Sequence, residues 1–242
     1  MEKKRSNIIA LDSLLTTTTL LKMSEEIDHF KRKHKETCEM AARAILYALD
    51  LKDHYTFGHS MRVAYFCVEA GKRLSLLEKD LYDLELAALF HDIGKIGTPD
   101  KLLNKPTRLV DEEFKMMKKH PVQSYEILRR FEDFEKVALC AKHHHERYDG
   151  KGYPDGLVGE EIPLFSRIIL IADTFDAVTS SRPYRTGLSH HVAFEELKQF
   201  AGTQFDPHLV DVFIKTLTEI GEQRSETFEL SIIDGKFKKE AA

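Results

Sequence analysis

Apolar positions in this chain recur at helical spacing in one segment after another, while strand-like alternation is nearly absent. Ile27, Phe30, Met40, Ala41, Ile45 and Leu46 punctuate a charged, helix-forming background over residues 25–49. Thr56 reads as the N-cap of a helix through HSMRVAYFCVEAGKRL, with His59 in its first turn. A second helix spans about residues 77–92 and ends near Gly94, so His91 and Asp92 fall at its C-terminal end. Asp111 reads as the cap of DEEFKMMKKHPVQSYEILRR, which Pro121 should break or kink beside His120. Residues 132–146, FSRIILIADTFDAVTSS, HHVAFEELKQF and, after Pro207, HLVDVFIKTLTEI complete the helical set. Strand-like text occurs only in FELSII near the C-terminus, so the expected class is all-α.

Two stretches interrupt the pattern. GTPDKLLNKPTRL, residues 97–109, and RYDGKGYPDGLVGEEIP, from Arg147, carry the prolines and glycines of structured loops. Residues 1 to about 24 read as a loosely held leader. Residues 25–49 are then a linker to a regulatory domain or a helix that pairs with its counterpart in a homodimer, and with the leader they make up an N-terminal segment over 1–49.

With 242 residues and 42% hydrophobic content, the chain can bury a full core in one domain with a small appendage. A formal charge of -4 gives no case for bulk nucleic-acid or acidic-membrane binding, so an anionic ligand would be held by local cations or metals. Cys38, Cys67 and Cys140 are widely separated and lack CxxC spacing, which points to reduced thiols rather than a thiolate site. The N-terminus has a basic start but no persuasive cleavage region, and no apolar run reaches spanning length; a cytoplasmic location is expected.

The candidate chemistry lies in His59, His91, Asp92, His120, His144, His145 and Asp173. Burying that many imidazoles and carboxylates unpaired in apolar helices is expensive, and Asp173 on RIILIADTFDAV is the clearest case. Metal ligation solves the problem, with an Arg or Lys partner the plain alternative for Asp173. Asp92 can bridge two ions through its two oxygens, with His91 supplying nitrogen to one ion and His120, His144 and His145 completing a second site. Consecutive His144 and His145 can both ligate only where their helix ends, which Tyr148-Asp149-Gly150 permits; His143 is left to solvent or to support. Paired divalent ions, about 3.5–4 Å apart, suit attack of water on a phosphoryl group. Mixed imidazole and carboxylate ligands fit iron, manganese, zinc or cobalt better than calcium or magnesium. Lys95 and the Arg182/Arg185 pair in SRPYRTG are candidate phosphate contacts.

The ordered set YTFGHSMRVA, HDIGKIGTPDKLLNKPTRL, the HP pair at 120–121, HHERYDGKGYPDGL, RIILIADTFDAVTSSRPYR and TQFDP resembles the HD-GYP family of cyclic-di-GMP phosphodiesterases, within the HD metal-dependent phosphohydrolases. The resemblance implies an HD-domain helical bundle over about residues 50–220 with an additional GYP-containing region, and a C-terminal extension over 221–242. It implies a metal set of His59, His91, Asp92, His120, His144, His145 and Asp173, with iron or manganese as the ions. Asp92 and Lys95 carry the implied catalysis, and Lys95, Tyr153, Arg182 and Arg185 the implied substrate contacts. The implied reaction opens cyclic di-GMP to linear pGpG, some members continuing to GMP. Diguanylate cyclase domains are the implied protein partners. Members with a third metal carry a glutamate where this chain has Tyr55, so a binuclear centre is expected, and the glycine often found four residues after the HP histidine is Ser124 here. The readings that compete are a cyclic-di-GMP sensor or scaffold with little turnover, and a phosphodiesterase for another cyclic dinucleotide such as 3′,3′-cyclic GMP-AMP.

Overall fold

The structure, a computed structural model, describes residues 17–30, isolated positions between 33 and 48, and residues 54–223 except 104, 106 and 182–185. The chain divides into two compact units at residues 45 and 46. In the first, residues 17–30 form helix α1, so the stretch expected as a leader is helical from residue 17. The threonines at 17–19 have modest helix propensity, but it is a weak prior that the longer helix-forming run behind them overrides.

The second unit is built from α2 (His54–Arg73), α3 (Glu78–Phe90), α4 (Asp100–Leu103), α5 (Asp111–Met117), α6 (His120–Leu128), α7 (Glu135–Lys142), α8 (Leu164–Thr179), α9 (His190–Gln199) and α10 (Pro207–Gln223). Among the described residues there is no strand, only two isolated bridges, and the all-α expectation is borne out. FELSII lies outside the described residues.

Helix α8 is the axis of this unit. Phe165, Ile168, Ile169, Leu170, Ile171, Ala172, Phe175 and Val178 are all buried, the pattern of a helix covered on nearly every side. It packs on α2, α7, α9 and α10. Phe175 lies 5.3 Å from Phe66 of α2, 5.5 Å from Phe213 of α10 and 5.5 Å from Phe194 of α9, centroid to centroid. Each such ring removed from water stabilises the fold by about 1.5–3 kcal/mol. A carboxylate on α8 is thereby held rigidly in the interior.

Three boundaries differ from expectation. Helix α2 is already formed at His54, so Thr56 lies inside it rather than at its cap; a cap preference of about 1 kcal/mol yields to the apolar face behind it. Asp111 is the first helical residue, because the Glu113 carboxylate accepts the Val110 N–H at 2.9 Å and closes the turn one residue earlier. Helix α7 stops at Lys142, short of the histidine run. The break at Pro121 is present: α5 ends at Met117 and α6 starts at His120, with the proline in its first turn, where a missing N–H costs nothing.

Candidate metal centre

Four local arrangements aim the side chains. His91 ends α3, and Asp92 leaves the helix at φ -100°, ψ 6°, turning into a 3-10 segment, Ile93–Gly97. That turn is pressed onto α6: a Cβ on Gly94 would lie 2.1 Å from the His120 carbonyl oxygen and 2.6 Å from the Ser124 nitrogen. Only glycine fits there. Ser124 Oγ accepts the Gly94 N–H at 2.9 Å and donates to the His91 carbonyl at 2.8 Å, so this residue, noted above for departing from glycine, ties both ends of the turn. Because α7 has ended, His144 and His145 lie in a turn and reach the same cluster.

The ligand atoms fall into two groups, Asp92 with His120, His144 and His145, and His59 with His91 and Asp173, each within 4.8 Å internally. His59 and His91 rings are 5.5 Å apart, and His91 and His144 rings 4.9 Å, so the groups adjoin.

Three imidazoles share one device. Nδ1 of His91, His120 and His144 contacts the carbonyl oxygen three residues upstream, Ala88 at 2.6 Å, Met117 at 2.8 Å and Ala141 at 2.7 Å. A carbonyl only accepts, so each Nδ1 carries the hydrogen, and a ring in its neutral form presents the Nε2 lone pair inward. Nε2 of His120 and of His144 face each other at 3.3 Å; with both rings neutral and hydrogen on Nδ1, two lone pairs meet there and repel unless a cation lies between them. His91 Nε2 and Asp92 Oδ1 are buried without a hydrogen-bond partner. His120 Nε2 lies 3.1 Å from that same oxygen without hydrogen-bonding geometry. Each orphaned group costs about 1–3 kcal/mol, and divalent cations fit the donors that are left.

Electrostatics point the same way. Burial opposes ionisation of Asp92, but Lys95 and His91 outweigh it and hold the carboxyl well below its usual range. Asp173 is likewise held low, burial being overcome by His59. Burial, then neighbouring imidazoles, pushes His144 well below its ordinary value and His145 down to about 3. Charged carboxylates beside neutral imidazoles are the protonation states that metal ligation requires. His59 differs: burial would lower it, yet Asp173 and Asp176 raise it to about 9.

Lys95 is ion-paired with Asp92. Tyr153 stacks on His145 at 4.9 Å, and burial followed by the charges of Asp92 and Asp173 raises its phenol. The GYP loop is held from below: Glu146 Oε1 accepts the N–H groups of Asp155 and Gly156 at 2.6 and 3.0 Å, and His143 Nε2 lies 2.9 Å from Asp155 Oδ2. A Cβ on Gly152 would lie 2.3 Å from the Arg147 nitrogen, so the loop closes on the histidine turn only with glycine there. Phe205 is buried, and Asp206 caps α10 by accepting His208 N–H at 2.9 Å while its other oxygen takes Arg167 at 2.6 Å. Arg182 and Arg185 lie outside the described residues. Cys67 and Cys140 are free and buried, and Cys38 is outside the described residues.

Sequence reasoning missed Asp176 and Arg62. Asp176 Oδ2 meets His59 Nδ1 at 2.7 Å, leaving His59 Nε2 3.1 Å from Asp173 Oδ1, and Arg62 and Ser180 complete the hydrogen bonds of Asp176. The available signal was a second carboxylate three residues after Asp173 on the same apolar helix.

A profile of the HD domain matches residues 43–209. The chain belongs to the HD domain family. Among curated relatives, the cyclic di-GMP phosphodiesterase response regulator RpfG of Xanthomonas campestris is 39% identical over 88% of this chain and 55% of its own. A cyclic di-GMP phosphodiesterase of Thermotoga maritima is 38% identical over 71% of this chain and 47% of its own. The 3′3′-cGAMP-specific phosphodiesterase 3 of Vibrio cholerae is 37% identical over 72% and 38%. The HD-GYP resemblance therefore stands, and the chain spans about half the length of the first two. Among solved structures, a V. cholerae cyclic GMP-AMP phosphodiesterase superposes with a TM-score of 0.59 at 24% identity, over 75% of this chain and 48% of that one. The PgpH HD domain of L. monocytogenes superposes at 0.56 and 19% identity, over 75% and 98%. These likenesses establish the HD fold, and the family is metal-dependent.

Proposed function

We propose that this HD domain hydrolyses cyclic di-GMP to linear pGpG using two divalent ions, iron or manganese. The observation that carries the reading is the convergence of the His120 and His144 Nε2 atoms at 3.3 Å beside Asp92 Oδ1 and His91 Nε2, both buried without a hydrogen-bond partner. His120, His144, His145 and Asp92 would hold one ion, and His59, His91 and Asp173 the other, with Asp92 at the junction. Bound there, the ions would neutralise phosphoryl charge and make water acidic enough to attack at neutral pH.

The chain's own residues do the rest. Carbonyls of Ala88, Met117 and Ala141 fix the ring orientations, and Asp176 does the same for His59. Lys95, beside Asp92, is placed to pass from the carboxylate to a phosphate oxygen. Tyr153 on His145 walls the site and excludes water from that side. Arg182 and Arg185 are proposed to hold the substrate through charge-assisted bonds.

A second reading, hydrolysis of 3′,3′-cyclic GMP-AMP, is favoured by the Vibrio relatives at 37% and 38% identity. Anaerobic turnover of both dinucleotides after loading with Mn²⁺ or Fe²⁺, with metal content and products quantified, tests the proposal. Asp92→Ala is expected to abolish turnover and at least one metal site. Tight binding by fully loaded protein without product would make the chain a sensor instead.

A further inference from the structure

A cyclic dinucleotide carries two phosphodiesters, and a centre that engages the scissile one leaves the other needing a cation in a chain of net charge -4. Arg182 and Arg185, proposed above to hold substrate, lie outside the described residues, and most of the described basic groups around the centre are already committed. Lys95 is paired with Asp92, Arg62 with Asp176, Lys142 with Asp155 and Arg147 with Asp149. Lys118 differs: among the described residues its contacts are aromatic, with Nζ 4.9 Å from the Tyr153 ring centroid and 4.7 Å from that of Phe114.

Its position is tied to the centre through two routes. Lys118 caps the end of α5, and the carbonyl of the preceding Met117 is the one that orients His120. Tyr153, over which the ammonium lies, is stacked on His145. A half-buried lysine resting on rings has no carboxylate among the described residues to displace before it meets an anion, since a π face attracts an ammonium only weakly.

We propose that Lys118 is a substrate-binding residue that takes the second, non-scissile phosphate of the cyclic dinucleotide. This rests on the functional reading above. On it, Lys118 selects for substrates with two phosphates, whereas a simple diester would not reach it.

The test compares wild type, Lys118→Met and Lys118→Arg, all metal-loaded to equal content, on cyclic di-GMP and on bis(p-nitrophenyl) phosphate. Methionine keeps the stem on the two rings and removes the charge. A lost charge-assisted contact is expected to raise KM for cyclic di-GMP by about tenfold or more, with kcat changed far less. The KM for the single-phosphate diester should move much less, and arginine should recover most of the loss. Equal changes on both substrates, or an unchanged KM for cyclic di-GMP, would overturn the assignment while leaving the phosphodiesterase reading intact. No turnover of either cyclic dinucleotide by the wild-type chain would instead overturn that reading and the proposal with it.

Discussion

Single residues set the direction of every ligand. Asp176 binds none of the candidate metal positions directly; it accepts from His59 Nδ1 and so commits Nε2 to the centre. Replacing an orienting partner of a ligating histidine typically costs 10–100-fold in metal affinity. Asp176→Asn, which keeps the volume but loses the charge, should therefore weaken binding at His59, His91 and Asp173 by about that factor while the Asp92 group holds its ion. Chelator competition with metal quantified per chain would show it as one strong and one weakened site; two unaltered sites would remove Asp176 from the account. Ser124 works at the same scale on the backbone, joining the His91 carbonyl to the Gly94 N–H where a glycine would leave both to find other partners.

At the scale of elements, ends matter more than middles. Helix α3 stops at Phe90, just before His91, α6 starts at His120 and α7 stops before His144, so the cluster is assembled largely from helix termini, with His59 and Asp173 added from inside α2 and α8. The GYP loop that follows is anchored at its base, where Asp149 N–H donates to the Thr203 carbonyl at 2.8 Å and Arg147 grips the Asp149 carboxylate at 2.8 and 3.0 Å. Arg147 lowers Asp149 to about 2, below the ordinary value of about 3.9. A depressed carboxylate contributes stability that is present above its ordinary value and lost as pH falls toward its folded value. The stability difference between wild type and Asp149→Asn should hold at pH 5 and shrink between about pH 4 and pH 2. For a surface pair it amounts to at most about 1 kcal/mol, measurable by urea unfolding. A difference that is flat with pH would show that the ion pair contributes nothing.

At the scale of the whole molecule, the two ligand groups draw on α2, α3, α6, α8 and the turn after α7, so metal should act as a cross-link of the bundle. An ion that binds only the folded chain, at one hundred times its Kd, adds about 2.7 kcal/mol. For a domain of this size that raises Tm by roughly 5–10 °C. Mn²⁺ titration followed by calorimetry should show the rise and EDTA should reverse it; a Tm indifferent to both would contradict the centre. Among the described residues, no helix is long and apolar enough to cross a membrane.

The helical class, the seven candidate ligands and the HD-GYP motif order were all legible along the chain, because each depends on residue type and spacing over short distances. Apolar periodicity marks a helix wherever it packs, and a histidine or carboxylate in apolar text signals its own cost of burial. The grouping of Asp92 with His120, His144 and His145 was legible as well, from a carboxylate able to bridge; how two neighbouring residues come to face different groups was not. His91 and Asp92 are adjacent in sequence, yet His91 falls with His59 and Asp173, and Asp92 with His120, His144 and His145. Side-chain direction at a helix end depends on where the helix unwinds and on what presses against it, here α6 on Gly94. The same holds for Asp176, Ser124 and Lys118: ordinary residues on an apolar, an amphipathic and a charged helix, given their places by contacts with residues far away in sequence. Sequence alone determined what chemistry the chain carries; packing of helix ends decided which atoms meet, because a lone pair has a direction only once the backbone on both sides of it is fixed.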